Sequence, residues 1–115
     1  MASSIGSRQV AQDERLDAVF HALSHRARRA LLGRLAQAPA MITELARPFA
    51  MSLPAVSRHI RVLEQAGLVA RTVDGRVHRC SLETLPLKAA EQWLVHYRGF
   101  WEASLEALAR YAEKH

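Results

Sequence analysis

The sequence predicts a mainly α-helical domain that carries one small β-hairpin. Three observations lead to this expectation. Apolar residues recur at three-to-four spacing through most of the 115 residues. Two short runs, about 68–73 and 76–82, flank the pair Asp74-Gly75, a strong signal for a two-residue hairpin loop. Pro39, Pro48 and Pro54 punctuate the helical segments.

The length fits one domain with a small core, which a hydrophobic seam shared with a second copy would reinforce. Half of the residues are apolar, which fits a globular chain. No apolar run approaches the ~18 residues of a membrane span, and the N-terminus lacks a signal-peptide core, so a cytoplasmic protein without membrane contact is expected. The single Cys80 excludes an internal disulfide.

Residues 1–12 are small, polar and aperiodic and are expected to form a flexible tail, leaving 13–115 as the domain. A first helix is predicted from about Asp13 to Leu23, with Leu16, Val19, Phe20 and Leu23 on one side. Ser24 is a candidate N-cap for a second helix, about His25 to Ala38. Its apolar set is Ala27, Leu31, Leu32 and Leu35, and Arg26, Arg28, Arg29 and Arg34 are expected on its exposed face. Thr43 is a candidate cap for a short third helix that Pro48 should end.

The next helix, expected over 53–66, has a capping Ser52, Pro54 in its first turn, and Gly67 just past its end. Wound at about 100° per residue, it places Val56, Ile60 and Leu63 on one side. Pro54, Ser57, Arg58, Arg61 and Gln65 lie opposite, with Ala55 and His59 on the flank. That outer face holds two arginines, a hydroxyl, an amide and a small apolar group without an acid. Such a set can read base edges and phosphates in a major groove. A strand pair over 68–82 follows, with Arg71, Arg76 and Arg79 around its tip. A short helix, a turn, an arginine-faced helix and a basic hairpin together give a winged helix-turn-helix.

Charge is distributed to match. Residues 24–82 carry ten Lys or Arg and three Asp or Glu, whereas the two ends are each net −1. A localised basic region points to a polyanion, with nucleic acid first among candidates.

A last long helix is predicted over 84–112. Leu87, Ala90, Leu94, Tyr97, Trp101, Leu105, Leu108 and Tyr111 fall at coiled-coil-like steps, a stripe too long for so small a monomer to bury. A homodimer is therefore expected, whose two-fold symmetry suits a pseudo-palindromic double-stranded site.

The segment "ITELARPFAMSLPAVSRHIRVLEQAGLVARTVDGRVHRCSL" resembles the helix-turn-helix and wing of the ArsR/SmtB family of bacterial transcriptional regulators, and "LSHRARRALLGRL" resembles that family's second helix. The resemblance covers about residues 13–112. It implies a homodimeric operator-binding repressor of its own or a neighbouring promoter, dimerising through the first and last helices. By position it implies that Ser52, Pro54, Ala55, Ser57, Arg58, His59 and Arg61 face DNA, with Arg76 on the wing. Thr43 and Arg79 complete the expected DNA-facing set. Leu16, Val19, Phe20, Leu87, Leu94, Tyr97, Trp101, Leu105 and Leu108 form the expected dimer interface.

The metal sites of that family do not match. The stretch Glu44-Leu45-Ala46-Arg47-Pro48 holds no thiol where thiolate sensors carry a Cys-x-Cys pair. Near His96, Leu94 stands where a second type of site has Asp, and Ala107 where it has His. Metals of this kind need clustered N or S donors, so no metal and no cofactor are expected. Cys80 is expected to face inward as inert packing, with a one-thiol redox role as the alternative. The aromatic group Trp93, Tyr97, Phe100 and Trp101 admits two readings, core and dimer seam or the lining of a pocket for an unnamed small-molecule effector. No P-loop, G-x-S-x-G or paired-carboxylate motif points to an enzyme. The main alternative is a sequence-independent architectural DNA binder, which would share the basic surface but not the specificity.

Overall fold

A computed structural model describes residues 2–114, with the side chains of residues 2–5 and of Trp101 outside the description. The elements run α1 (Ala2–Leu23), α2 (Arg26–Leu35), β1 (Ala40–Met41), α3 (Ile42–Ala46), α4 (Leu53–Gln65), β2 (Val69–Asp74), β3 (Val77–Leu82), α5 (Leu85–His96) and α6 (Arg98–Lys114). Leu31, Leu45, Val56, Ile60, Leu63, Leu68 and Cys80 have no solvent exposure, so the core lies where α2, α3, α4 and the sheet meet. Each buried Leu or Ile contributes roughly 1.5–3 kcal/mol by leaving water.

The sheet is antiparallel in the order β1-β3-β2. Val69 faces Leu82 at one end of the hairpin and Asp74 faces Val77 at the other. The two-residue loop is therefore Gly75-Arg76, one position beyond the expected Asp74-Gly75. Gly75 has φ +61 and Arg76 keeps a negative φ. A glycine at the first central position alone is the chemistry of a Gly-X hairpin turn. β1 pairs with β3 through Ala40–Cys80 and Met41–Arg79. A strand of two residues leaves no periodicity, and none was expected there.

Corrections fall on the N-terminal segment, on the caps of α2 and α3, and on the last helix. The segment 2–12 is helical rather than a tail. It has no proline, and Gln9 Nε2 donates to Asp13 Oδ1 at 3.1 Å one turn on. Residues 6–10 are exposed, so the absence of apolar periodicity there reports the absence of a buried face, not of a helix. The N-cap of α2 is His25, whose Nδ1 accepts from Ala27 N at 3.0 Å. Ser24 instead closes α1, its hydroxyl donating to His21 O at 2.6 Å. Likewise Met41, not Thr43, precedes α3, and Glu44 reaches back to accept from Met41 N at 3.3 Å. The long last helix is two helices. Tyr97 has φ −98 and ψ 4, and its N–H donates to Leu94 O, tightening the end of α5. Gly99, a poor helix former, follows at once.

α6 packs on α5 and makes no comparable contact elsewhere among the described residues. The radius of gyration is 18.7 Å, against about 13 Å for a compact chain of this length.

Candidate nucleic-acid interface

The turn that joins α3 to α4 is a Schellman motif. Met51 N–H donates to Ala46 O at 3.3 Å and Ala50 N–H to Arg47 O at 3.4 Å. Ala50 takes the left-handed position with φ +52, a place that favours glycine. The end of α4 repeats the motif with glycine in place. Gly67 has φ +76 and its N–H donates to Glu64 O, while Leu68 N–H donates to Leu63 O, both at 2.9 Å. These two turns set the direction in which α4 enters and leaves.

α4 begins as expected. Ser52 Oγ accepts from Ala55 N at 3.3 Å and Pro54 lies in the first turn. Val56, Ile60 and Leu63 are fully buried. Pro54, Arg58, Arg61 and Gln65 are exposed on the opposite side, together with Ser52 and with Thr43 on α3. Ala55 and Ser57 are half-buried, and Ser57 borders a groove with Thr43, Arg76 and His78 where α4 meets the hairpin. On the wing, Arg76 and Arg79 are exposed. Arg71 is not available in the same way. It forms an ion pair with Glu64 and contacts His78 Nδ1 at 3.3 Å. Among the described residues Arg58, Arg61, Arg76 and Arg79 have no acidic partner, since Arg71–Glu64 is the one ion pair.

Two residues expected to be accessible are less so: His59 on the flank of α4 and Arg28 on α2. His59 is half-buried. Its ring lies 4.6 Å from that of His25, and its Nδ1 is 3.4 Å from Arg28 Nη1. Burial, and then His25, Arg28 and Arg58, hold its pKa below the usual histidine value. Arg28 itself is 8% exposed rather than on the outer face of α2. Its Nε donates to Ala22 O at 2.8 Å and its Nη2 to His21 O at 3.1 Å. The signal was in the spacing. Arg28, Leu31, Leu32 and Leu35 stand at i, i+3, i+4 and i+7, in one buried stripe. The charge of the side chain masked that position.

The expected interface residues divide. Val19 is enclosed in its own chain at 2% exposure and does not belong to an outer surface. Leu16, Phe20 and Leu87 are partly buried against the same core. Leu94 and Tyr97 are exposed, and Leu105 and Leu108 remain 65% and 64% exposed on α6. The side chain of Trp101 lies outside those described. Phe20 meets Trp93 edge-on at 5.7 Å, and Trp93 lies 4.8 Å from Tyr97 beside a groove between α1 and α5.

Cys80 is fully buried as expected. Burial pushes its thiol up, Arg71 pulls it down and Glu64 adds to the rise, with burial prevailing. Among the described residues no group of three or more His, Cys, Asp or Glu is placed to hold a metal ion, and no helix is long and apolar enough to cross a membrane.

Residues 23–72 match a family model described as a helix-turn-helix domain. The chain is 36% identical over 94 residues to the HTH-type transcriptional regulator Rv2034 of Mycobacterium tuberculosis, covering 82% of this chain and 85% of that protein. It is 29% identical over 79 residues to the transcriptional repressor SdpR of Bacillus subtilis, covering 69% and 88%. Among solved structures it is similar to an ArsR family transcriptional regulator, with 43% identity, a TM-score of 0.73, and 78% of this chain and 93% of that one covered. An ArsR-like transcriptional regulator from Rhodococcus superposes with a TM-score of 0.70 at 27% identity, over 89% and 96%.

Proposed function

The chain belongs to the ArsR family of winged helix-turn-helix transcriptional regulators, and from that premise we propose how it meets DNA: as a homodimeric repressor that lays α4 in the major groove of a pseudo-palindromic operator. It is a sequence-specific DNA-binding regulator. The observation that supports the docking is the α4 face, where Arg58, Arg61 and Gln65 are exposed opposite a fully buried Val56, Ile60 and Leu63, with no acid among them. Arg58 and Arg61 supply bidentate donors for guanine or phosphate. Pro54, Ala55 and Ser57 bring the N-terminal end of α4 close to the bases, while Ser52 and Thr43 meet the backbone. Arg76 and Arg79 carry the wing to an adjacent phosphate run or minor groove.

The dimer follows from what α6 leaves uncovered. An extended molecule with Leu94, Leu105 and Leu108 in solvent buries them when a second copy packs on α5 and α6. A two-fold pair then presents two α4 helices to half-sites about one helical turn, roughly 34 Å, apart.

The test is fluorescence anisotropy with DNA from immediately upstream of the protein's own gene and scrambled DNA as competitor. Tight binding at two chains per site that scrambled DNA does not displace is expected. Equal binding to both DNAs would replace this reading with an architectural one.

A further inference from the structure

We propose that Arg28 is a positioning residue for DNA binding, acting through His59: it seats the flank of α4 by holding the His59 imidazole as its neutral Nε2–H tautomer. The inference rests on the docking of α4 proposed above, but its first observable belongs to the protein alone.

The geometry runs from the end of α1 to the flank of α4. A helix leaves its last carbonyls without intrahelical donors and carries a partial negative charge there. Arg28 reaches back from α2 to two of the carbonyls at the end of α1, Ala22 O at 2.8 Å and, at 3.1 Å, His21 O, which it shares with the hydroxyl and N–H of Ser24. With two of its nitrogens engaged, its remaining Nη1 lies 3.4 Å from His59 Nδ1. A guanidinium only donates. The hydrogen bond therefore requires a lone pair on Nδ1, which leaves the ring's single proton on Nε2. His25, whose ring lies 4.6 Å from that of His59, uses its own Nδ1 to accept from Ala27 N while it caps α2.

Every charged or titratable group acting on His59 is basic: His25 from the start of α2, Arg28 from within α2, and Arg58 beside it on α4. Among the described residues no acid is paired with any of them. Protonation of His59 would remove the acceptor that Arg28 uses and set two cations against each other. The neutral ring is thus part of how α4 is seated, and the next residue toward the N-terminus is Arg58, on the DNA-facing side. A buried guanidinium that joins α1, α2 and α4 is placed to set how Arg58 and Arg61 present themselves.

The first measurement is two-bond ¹H–¹⁵N correlation of the histidine side chains in the wild-type protein without DNA. The Nε2–H tautomer at His59 is expected. Arg28→Met, which keeps length but loses the donors, should give a mixed tautomer and a higher His59 pKa, and Arg28→Lys should partly restore the wild-type pattern. The second measurement is a double-mutant cycle on operator affinity. Arg28→Met should weaken operator binding by about tenfold in the wild-type background and leave it unchanged in a His59→Phe background, which keeps a ring but no acceptor. An Nδ1–H tautomer in the wild type, or an equal loss in both backgrounds, would overturn the proposal. Should Arg28→Met fail to fold, the wild-type tautomer and the Arg28→Lys cycle decide it. Failure of wild-type protein to prefer its operator would count against the docking and leave the tautomer result intact.

Discussion

Replacing Ala50 by glycine should stabilise the protein, and replacing Gly67 by alanine should destabilise it by a similar amount. Both residues occupy the left-handed position of a Schellman turn, at φ +52 and φ +76. A left-handed backbone costs a residue with a Cβ roughly 1–2 kcal/mol. Glycine avoids that strain but loses about 0.5–1 kcal/mol more conformational entropy on folding. The difference favours glycine by about 0.5–1 kcal/mol at either site. At Gly67 a Cβ would stand 3.4 Å from Pro86 Cγ, an ordinary contact, so backbone conformation sets the sign there. Thermal unfolding followed by far-UV circular dichroism, at one fixed chain concentration because the protein is taken to be a dimer, reads both variants. Ala50→Gly should raise the Tm by about 2–6 °C and Gly67→Ala should lower it comparably. A lower Tm for Ala50→Gly would refute the strained turn between α3 and α4. Because the turn keeps its hydrogen bonds, operator affinity should be unchanged in Ala50→Gly.

Arg76→Ala should weaken binding to all DNA sequences alike and reduce the slope of log affinity against log salt by about one, as read from anisotropy titrations over a salt series. A loss confined to one sequence would contradict a phosphate contact. The pair Leu105→Glu and Leu108→Glu should convert the dimer to a monomer in sedimentation velocity, since both side chains are about two-thirds exposed on α6. A variant that still sediments as a dimer would place the interface elsewhere. His59 contributes a pH dependence whose sign is fixed by its lowered folded pKa. Its stabilisation is complete above the unfolded value of about 6.5 and is lost as pH falls below that toward the folded pKa, where the unfolded chain binds the extra proton. Urea unfolding of wild-type and His59→Phe proteins at pH 7.5 and pH 5.5 checks this, with the smaller decline expected in the variant.

The helix-turn-helix was legible because independent local signals agree at each end of α4. Ser52 caps it, Pro54 suits its first turn, Val56, Ile60 and Leu63 give it one buried side, and Gly67 takes the conformation that ends it. Where signals compete, the sequence is less explicit. Ser24 and His25 both offer an acceptor at the start of α2, and the structure uses the second. Apolar spacing continues through Leu94, Tyr97 and Trp101, so it cannot report the break at Tyr97, which arises from a local backbone conformation followed by Gly99. Arg28 shows the reverse: its spacing placed it in the buried stripe and its charge argued against it. The carbonyls at the end of α1 resolve the conflict, and only the tertiary structure brings them to α2. In the candidate site, the outward placement of Arg58, Arg61, Arg76 and Arg79 was legible from periodicity and hairpin position. The diversion of Arg71 to Glu64 was not, because the two lie seven residues apart on either side of the turn at Gly67, and only that turn brings the end of α4 beside the start of β2.

The central claim is that α4 reads base sequence through its arginine face, and Arg58→Ala tests it most directly. Anisotropy titration of wild-type and variant protein on operator and on scrambled DNA, at one salt concentration, gives the ratio of specific to non-specific affinity. A loss of about 1–3 kcal/mol on the operator with little change on scrambled DNA is expected. An unchanged ratio, with affinity for both DNAs falling together or not at all, would contradict it.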